Sequence, residues 1–489
     1  MPHRLPTAAA LALIAAPALA APDTIRLGMV LEPPGLDPTA NAAAAIDEVV
    51  YANLFEGLTR FAPDGTIVPG LAQSWEAKEN GAVYEFKLRP GVSFHDGAGF
   101  DASDVVFSLD RARAPDSTNA QKQLFAGITG VEAVTPELVR VTLDSPDGSF
   151  PWKMAWGDAV ILDPASAAQA ATAPVGTGPF RLGQWTQGDH ITLEAFDGYW
   201  GEKPALRSAT FRFISDPTAA FAAMMAGDVD AFPIYPAPET LPQIEADPRF
   251  KVILGTTEGE TILSMNNRHA PLNDPRVRKA IALAVDRQAI IDGAMFGHGT
   301  PIGSHFAPHH PDYTDLLDRS PHDPEKAKAL LAEAGVSNLS LRLALPPPPY
   351  ARRGGEIVAA QLRAVGIETQ ITNMEWAQWL ETVFRGADFD LTIISHVEPL
   401  DIDIYARDGY YIGYDNPAFR DLITRFTAST DAGERSALLK QAQEMLADDN
   451  PAAFLFQLAK IGVADARIEG LWENAPTPAN DLTKVRWAE

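Results

Sequence analysis

Three observations predict a mixed α/β fold in two lobes with an additional strand-rich subdomain. From Asp274 onward, helices and strands alternate strictly; before residue 260 a second region also mixes the two; and residues from about 60 to 170 read as short strands broken by turns. Strict alternation implies βαβ units, right-handed crossovers and a mainly parallel sheet. A chain of 489 residues has room for this, since domains usually run to about 100–200 residues.

Each element has its own signal. Ile25, Leu27, Met29 and Leu31 alternate with Arg26 and Gly28, the period-2 pattern of a strand, and Glu32-Pro33-Pro34-Gly35 ends it. Val83 to Leu88 alternates likewise into Arg89-Pro90-Gly91, and one helix, Ala102 to Arg111, opens on Asp101 or Ser103. Past Gly176-Thr177-Gly178-Pro179, a strand at Ala209 to Ile214 meets Asp216-Pro217, an N-cap followed by proline in the first turn; that helix stops at Gly227, and Val229 to Phe232 returns as a strand. Asp274-Pro275 and Asp323-Pro324 repeat the cap. Leu339 to Leu345 is then a strand, Gly354 to Val365 a helix, Ile367 to Ile371 a strand, Trp376 to Arg385 a helix, and Phe389 to Ile393 a strand.

Composition narrows function. The formal charge of -25, from 39 Lys+Arg against 64 Asp+Glu, opposes binding to a phosphate backbone, so no nucleic-acid partner is expected. The chain has no cysteine, which excludes disulfides, thiolate metal sites, cysteine nucleophiles and a lipid carried on an N-terminal cysteine. Met1 to Thr7 carries Arg4 and no acid, Ala8 to Ala16 is a short apolar run, and Ala18-Leu19-Ala20 has the small-x-small form of a cleavage site. Residues 1–20 therefore read as a secretory signal peptide. Cleavage removes one Arg and no acid, taking -25 to -26. No other stretch reaches the roughly 18 apolar residues of a membrane span. An exported, unanchored, cysteine-free protein is expected in a Gram-negative periplasm, as a monomer.

In open α/β sheets, ligands bind beyond the carboxyl ends of strands. Three loops qualify: Glu32 to Leu36, Pro346 to Arg353 and Ser395 to Tyr405. The last reads Ser-His-Val-Glu-Pro-Leu-Asp-Ile-Asp-Ile-Tyr and places Glu398, Asp401 and Asp403 within six residues, a group suited to an ammonium. Arg352 and Arg353 stand at a helix start and suit a carboxylate. Trp376, Trp379 and Tyr405 are candidates for pocket walls. The sequence holds no G-x-S-x-G, P-loop or H-E-x-x-H motif, and Gly176-Thr177-Gly178-Pro179 breaks the dinucleotide pattern. His298, His305, His309 and His310 form a dense group without metal-ligand spacing. No catalytic residue, metal or cofactor is expected.

An ordered set of stretches carries a resemblance over nearly the whole chain after residue 20. These include Leu36-Asp37-Pro38, Asn53 to Leu58, Pro69 to Trp75, Leu88 to Val92, Phe94-His95-Asp96-Gly97, Gly176 to Phe180, Tyr199-Trp200, Gly227 to Asp230, Met265-Asn266-Asn267 and Asn273 to Ala280. The chain resembles the family 5 solute-binding proteins of ABC importers, whose members bind dipeptides, oligopeptides, nickel complexes and some sugars. The resemblance implies a periplasmic binding protein-like fold, with hinge and cleft between the lobes. Lobe I would comprise 21–52, 172–257 and 466–489, the inserted β-rich subdomain 53–171, and lobe II 258–465. It also implies closure around a solute and delivery to a membrane permease.

Peptide-binding relatives follow the strand at Phe389-Asp390 with a Trp and an Asp that holds the ligand's α-amino group. Here His396 stands where that Trp is expected, and the Asp falls among Glu398, Asp401 and Asp403, with Asp401 the first choice. Trp376 matches a pocket-lining Trp of oligopeptide binders, and Phe94 to Gly97 is assigned to structure. The expected ligand is a small peptide or peptide-like amine. The alternatives are a nickel or metal chelate held by His396 or the histidine group, an oligosaccharide or an opine; an exported hydrolase using carboxylates is the reading of another class.

Overall fold

The computed structural model describes residues 22–41, 43–398 and 400–488. Residues 1–20, expected to be a signal peptide, lie outside them, as does Pro399. Among the described residues, no helix is long and apolar enough to cross a membrane.

The two regions share one eleven-stranded sheet. Its order is Ile367–Asn373, Leu339–Leu345, Leu391–His396, Phe250–Met265, Ala452–Asp465, Ala231–Phe232, Thr24–Met29, Ser208–Phe213, His190–Ala195, Phe180–Thr186, with the short Thr300–Pro301 beside Ala452–Asp465. Parallel pairing is confined to two sets. Thr24–Met29 pairs in parallel with Ser208–Phe213 and Ala231–Phe232, and Leu339–Leu345 with Ile367–Asn373 and Leu391–His396. The remaining pairs are antiparallel, so the sheet is mixed rather than mainly parallel. The difference comes from two strands of 16 and 14 residues, Phe250–Met265 and Ala452–Asp465, that run through both regions. The first is interrupted by Gly-Thr-Thr-Glu-Gly-Glu at 255–260, a run with the composition of a turn, which hides its continuity.

Local chemistry sets the helix starts. Asp216, Asp274 and Asp323 accept from the amides of Ala219, Arg276 and Lys326 at 2.8, 2.8 and 2.9 Å, caps that contribute about 1 kcal/mol each. Gly227 closes its helix at φ 73°. The helix expected from Gly354 starts earlier, at Pro349, because proline suits the first turn. Gly354 and Gly355 lie buried inside it; a Cβ on Gly355 would come within 2.3 Å of Leu345, so these small residues let the helix approach its strand. The segment Trp376 to Arg385 is one α-turn, Trp376–Trp379, continued as a π-helix over Leu380–Arg385.

Separate cores fill the regions. Ile25, Leu27, Val49, Phe180, Phe211, Leu482 and Val485 pack in one, and Leu263, Ile281, Leu343, Val358, Leu391 and Phe456 in another. A four-stranded antiparallel sheet, Ala72–Lys78, Val83–Leu88, Leu138–Leu143 and Ile128–Thr135, packs with helix Ala102–Arg113 around Phe86, Phe94, Val105 and Phe150. Asp101 caps that helix in a capping box with Asp104.

The Gly176–Gly178 loop fastens this smaller body to the first region. The Gly176 amide donates to His95 Nδ1 at 3.2 Å, and His95 Nε2 in turn donates to Gly178 O at 3.0 Å. Burial drives the His95 pKa down to about 4. Beside it, Glu56 accepts from Trp200 Nε1, Thr177 Oγ1 and Tyr199 OH at 2.8, 2.9 and 3.0 Å. Burial pushes its carboxyl up to about 7 against those three bonds. On its far side the smaller body touches the second region, where the Gly148 amide donates to Thr427 O at 2.7 Å and Arg435 Nη2 to Ser149 Oγ at 2.9 Å.

Candidate functional site

The two long strands aim both parallel sets at one place. Their register breaks between Thr256, opposite Ala459, and Glu260, opposite Gln457, so three residues bulge against Leu458. Glu260 also pairs with His396, the last residue of its strand, so the carboxyl end of Leu391–His396 lies at the bulge. On the other side Phe232 pairs with Val463 and the Tyr235 amide donates to Ile461 O, so Ala231–Phe232 and its parallel neighbour Thr24–Met29 run toward the bulge as well. Loops following strands of both regions therefore converge on residues 256–260. Large apolar side chains stand exposed there: Leu31 and Ile234, which line one hollow on the first region, and Val397 on the second.

At the bulge the side chains are acidic and imidazole-bearing. His305 Nε2 meets Asp401 Oδ1 at 2.7 Å, His309 Nε2 meets Glu258 Oε1 at 2.7 Å, and His309 Nδ1 meets Thr256 Oγ1 at 2.7 Å. His396 Nδ1 is 3.4 Å from Asp401 Oδ2, and its Nε2 is 3.0 Å from Tyr411 OH. Tyr405 OH is 3.3 Å from His305 Nδ1. Burial lowers the His396 pKa to about 4. It pushes the Glu260 carboxyl well up, with Asp401 and Glu258 adding repulsion, and raises Glu258 despite its bond to His309. Burial acts the same way on Asp401, but His305, together with His396 and Arg407, outweighs it and holds that carboxyl below the usual range.

Three of the sequence candidates, His396, Asp401 and Tyr405, are buried together in this cluster. Asp401 is only 6% exposed and turns inward to the histidines. Asp403 pairs with Arg407 at 2.9 Å. Glu398 is exposed, and among the described residues its carboxylate hydrogen-bonds only to the Val397 amide, 3.2 Å away. Trp376 stands 42% exposed, edge-on to Trp379, whose ring meets Tyr411 edge-on in turn. The other candidates lie apart from the cluster. Glu32 accepts from Trp185 Nε1 and the Gly188 amide in a hairpin of the first region. Arg352 donates to Glu375 and Met374 O, and Arg353 lies over the Phe296 ring. Sequence reasoning missed Glu258, Glu260, Tyr411 and Gln457. The one available signal was a pair of acids spaced by two around Gly259, which marks a bulge as readily as a site.

Comparison with known proteins decides the family. The model of the bacterial extracellular solute-binding proteins, family 5, matches residues 66–401. The chain belongs to that family. The dipeptide-binding protein of Escherichia coli (strain K12) is 30% identical over 86% of this chain and 87% of its own length. The glutathione-binding protein GsiB of Pectobacterium atrosepticum is 30% identical over 94% and 93%. Among solved structures, HbpA2 from Haemophilus parasuis superposes with a TM-score of 0.88 at 24% identity, covering 95% of this chain and 100% of that one. In this family 5 chain, the Phe94–Gly97 and Gly176–Phe180 stretches that carried the resemblance form the joint around His95, away from the acidic cluster.

Proposed function

We propose that this family 5 protein is the periplasmic receptor of an ABC importer, taking up a small peptide or peptide-like amine and presenting it intact to a membrane permease. The supporting observation is the convergence of strand ends from both regions on a two-strand bulge. Two strands bend more readily than a wide sheet, so residues 256–260 and 457–459 are the hinge of two lobes that close on the solute. In this reading the smaller body, 53–171, rides on lobe I and the chain crosses the hinge near residues 258 and 458, so residues 460–465, which pair with Phe250–Gly255 and Ala231–Phe232, go with lobe I instead of with lobe II.

Glu398, rather than Asp401, is the amine contact in this reading. It is exposed, Asp401 faces inward, and Asp403 is matched by Arg407. The half-buried Tyr410 ring packs with His396 and Tyr411, and an ammonium reaching that ring would gain cation–π attraction. The relatives named for dipeptides and glutathione support a ligand with a free α-amine. One charge-assisted bond of this kind contributes about 1.5–3 kcal/mol, roughly a 10- to 150-fold change in affinity.

A thermal-shift panel tests the reading. Dipeptides and glutathione should raise Tm by ligand linkage, N-acetylated counterparts should do so less, and Glu398→Gln should remove the distinction. A response to sugars or opines alone, or equal responses to free and acetylated amines, would refute it. Recovery of the bound solute as cleaved products would show an enzyme instead.

A further inference from the structure

We infer that the buried cluster behind the bulge is a binding site for one divalent transition-metal ion, held by Glu260, His305 and Asp401. Each offers a donor atom, and the three atoms lie within 4.8 Å of one another. Around a tetrahedral ion with bonds of about 2.0–2.2 Å the donor atoms lie about 3.3–3.6 Å apart, so an entering ion would open the 2.7 Å contact between His305 and Asp401 slightly and take its place between them. The three residues are 3%, 1% and 6% exposed, and they line a cavity of about 10 Å³, the room for about one water-sized particle.

Unmatched acceptors supply the independent observation. Glu260 Oε2, Asp401 Oδ2 and Gln457 Oε1 are buried without a hydrogen-bond donor, and Gln457 is the strand partner of Glu260. A buried acceptor left unpaired costs about 1–3 kcal/mol, and here two of them, on Glu260 and Asp401, belong to residues that line one small cavity. Among the described residues, no lysine or arginine forms an ion pair with Glu258, Glu260 or Asp401; histidines partner Glu258 and Asp401, and Glu260 has no cationic partner. A cation at the centre would meet both demands. Two carboxylates and one imidazole suit a borderline divalent ion such as zinc. With an ion bound, Tyr405 OH, 3.3 Å from His305 Nδ1, would accept the Nδ1 proton and leave Nε2 to coordinate. The site joins the bulged strand, the segment around residue 305 and the loop after His396, so the ion would brace the floor of the second lobe. It does not use Glu398 and stands whether or not the amine reading holds.

The test is zinc binding to tag-free protein stripped with EDTA, followed by calorimetry and, with cobalt(II) as probe, by visible absorption. One equivalent should bind, raise Tm and give the cobalt d–d bands. Glu260→Gln and His305→Gln should each weaken zinc by at least 10-fold, while Glu398→Gln leaves it unchanged. Circular dichroism confirms that each variant folds; if Glu260→Gln does not, His305→Gln carries the test. Absence of binding to the native protein would overturn the inference and leave protons as the neutralising charges. Zinc retained in both variants but lost in Glu398→Gln would overturn it too, moving the ion to the His396, Glu398 and Asp401 group.

Discussion

His95 offers a perturbation whose size can be worked out in advance. Its ring is fixed as the neutral tautomer: Nδ1 accepts from the Gly176 amide and Nε2 donates to Gly178 O. A second proton on Nδ1 would break the first bond, and the partly buried ring would carry a charge favoured only by the Gly178 carbonyl and Asp96, with Arg181 opposing. Its pKa therefore falls from 6.5 to about 4 in the fold, chiefly through burial. Because the folded value is the lower one, the unfolded chain takes up the proton first on acidification. The stabilising contribution is complete above pH 6.5 and is lost as pH falls toward 4. At 1.36 kcal/mol per pH unit, acidification from pH 7.5 to 4.5 costs about 2.5 kcal/mol, or about 2 kcal/mol after allowance for partial exposure. The assay is urea unfolding at both pH values for the native protein and His95→Gln, which keeps a donor and an acceptor but does not titrate. His95→Gln should be less stable at pH 7.5, with the gap closing by about 2 kcal/mol at pH 4.5. A gap that stays constant with pH would refute the assignment of this joint to a neutral imidazole.

Glu56 should act in the opposite sense. Its carboxyl is raised from 4.5 to about 7, chiefly by burial, so its contribution is complete below pH 4.5 and is lost as pH rises through 7. The native protein should lose up to about 3 kcal/mol over that range, and Glu56→Gln should flatten the slope in urea unfolding. A Cβ on Gly176 would lie 1.9 Å from Leu54 O, so Gly176→Ala should destabilise by about 3 kcal/mol or prevent folding, read as Tm or soluble yield. A Cβ on Gly148 would lie 1.7 Å from Ser429 O; Gly148→Ala should part the smaller body from the second lobe and raise the radius of gyration in small-angle scattering. Glu398→Gln should weaken a free-amine dipeptide by roughly 10- to 150-fold in calorimetry while leaving Tm without ligand unchanged.

Features written in neighbouring residues were legible without coordinates. Asp-Pro caps at 216, 274 and 323 announced their helices because a carboxylate and a fixed φ act within one turn. Alternating leucines from 339 to 345 announced a strand, and the motifs Phe94 to Gly97 and Gly176 to Phe180 pointed to a family. The cluster of acids at 398–403 was visible as a candidate for the same reason. Its internal division was not. Asp401 and Glu398 are three residues apart, yet one is enclosed by His305, brought in by a fold contact spanning 96 residues, while the other is exposed. The continuity of Phe250–Met265 through its Gly-rich middle depends on pairing with Ala452–Asp465, about 200 residues away, and that pairing brings Glu260 beside Gln457 and His396. Sequence alone thus determined the capped helices, the short alternating strands, the charge and the family, because those signals are written in residue identity and in neighbours along the chain. Tertiary structure decided which carboxylates face outward and which are buried, because burial depends on what the rest of the chain places around them.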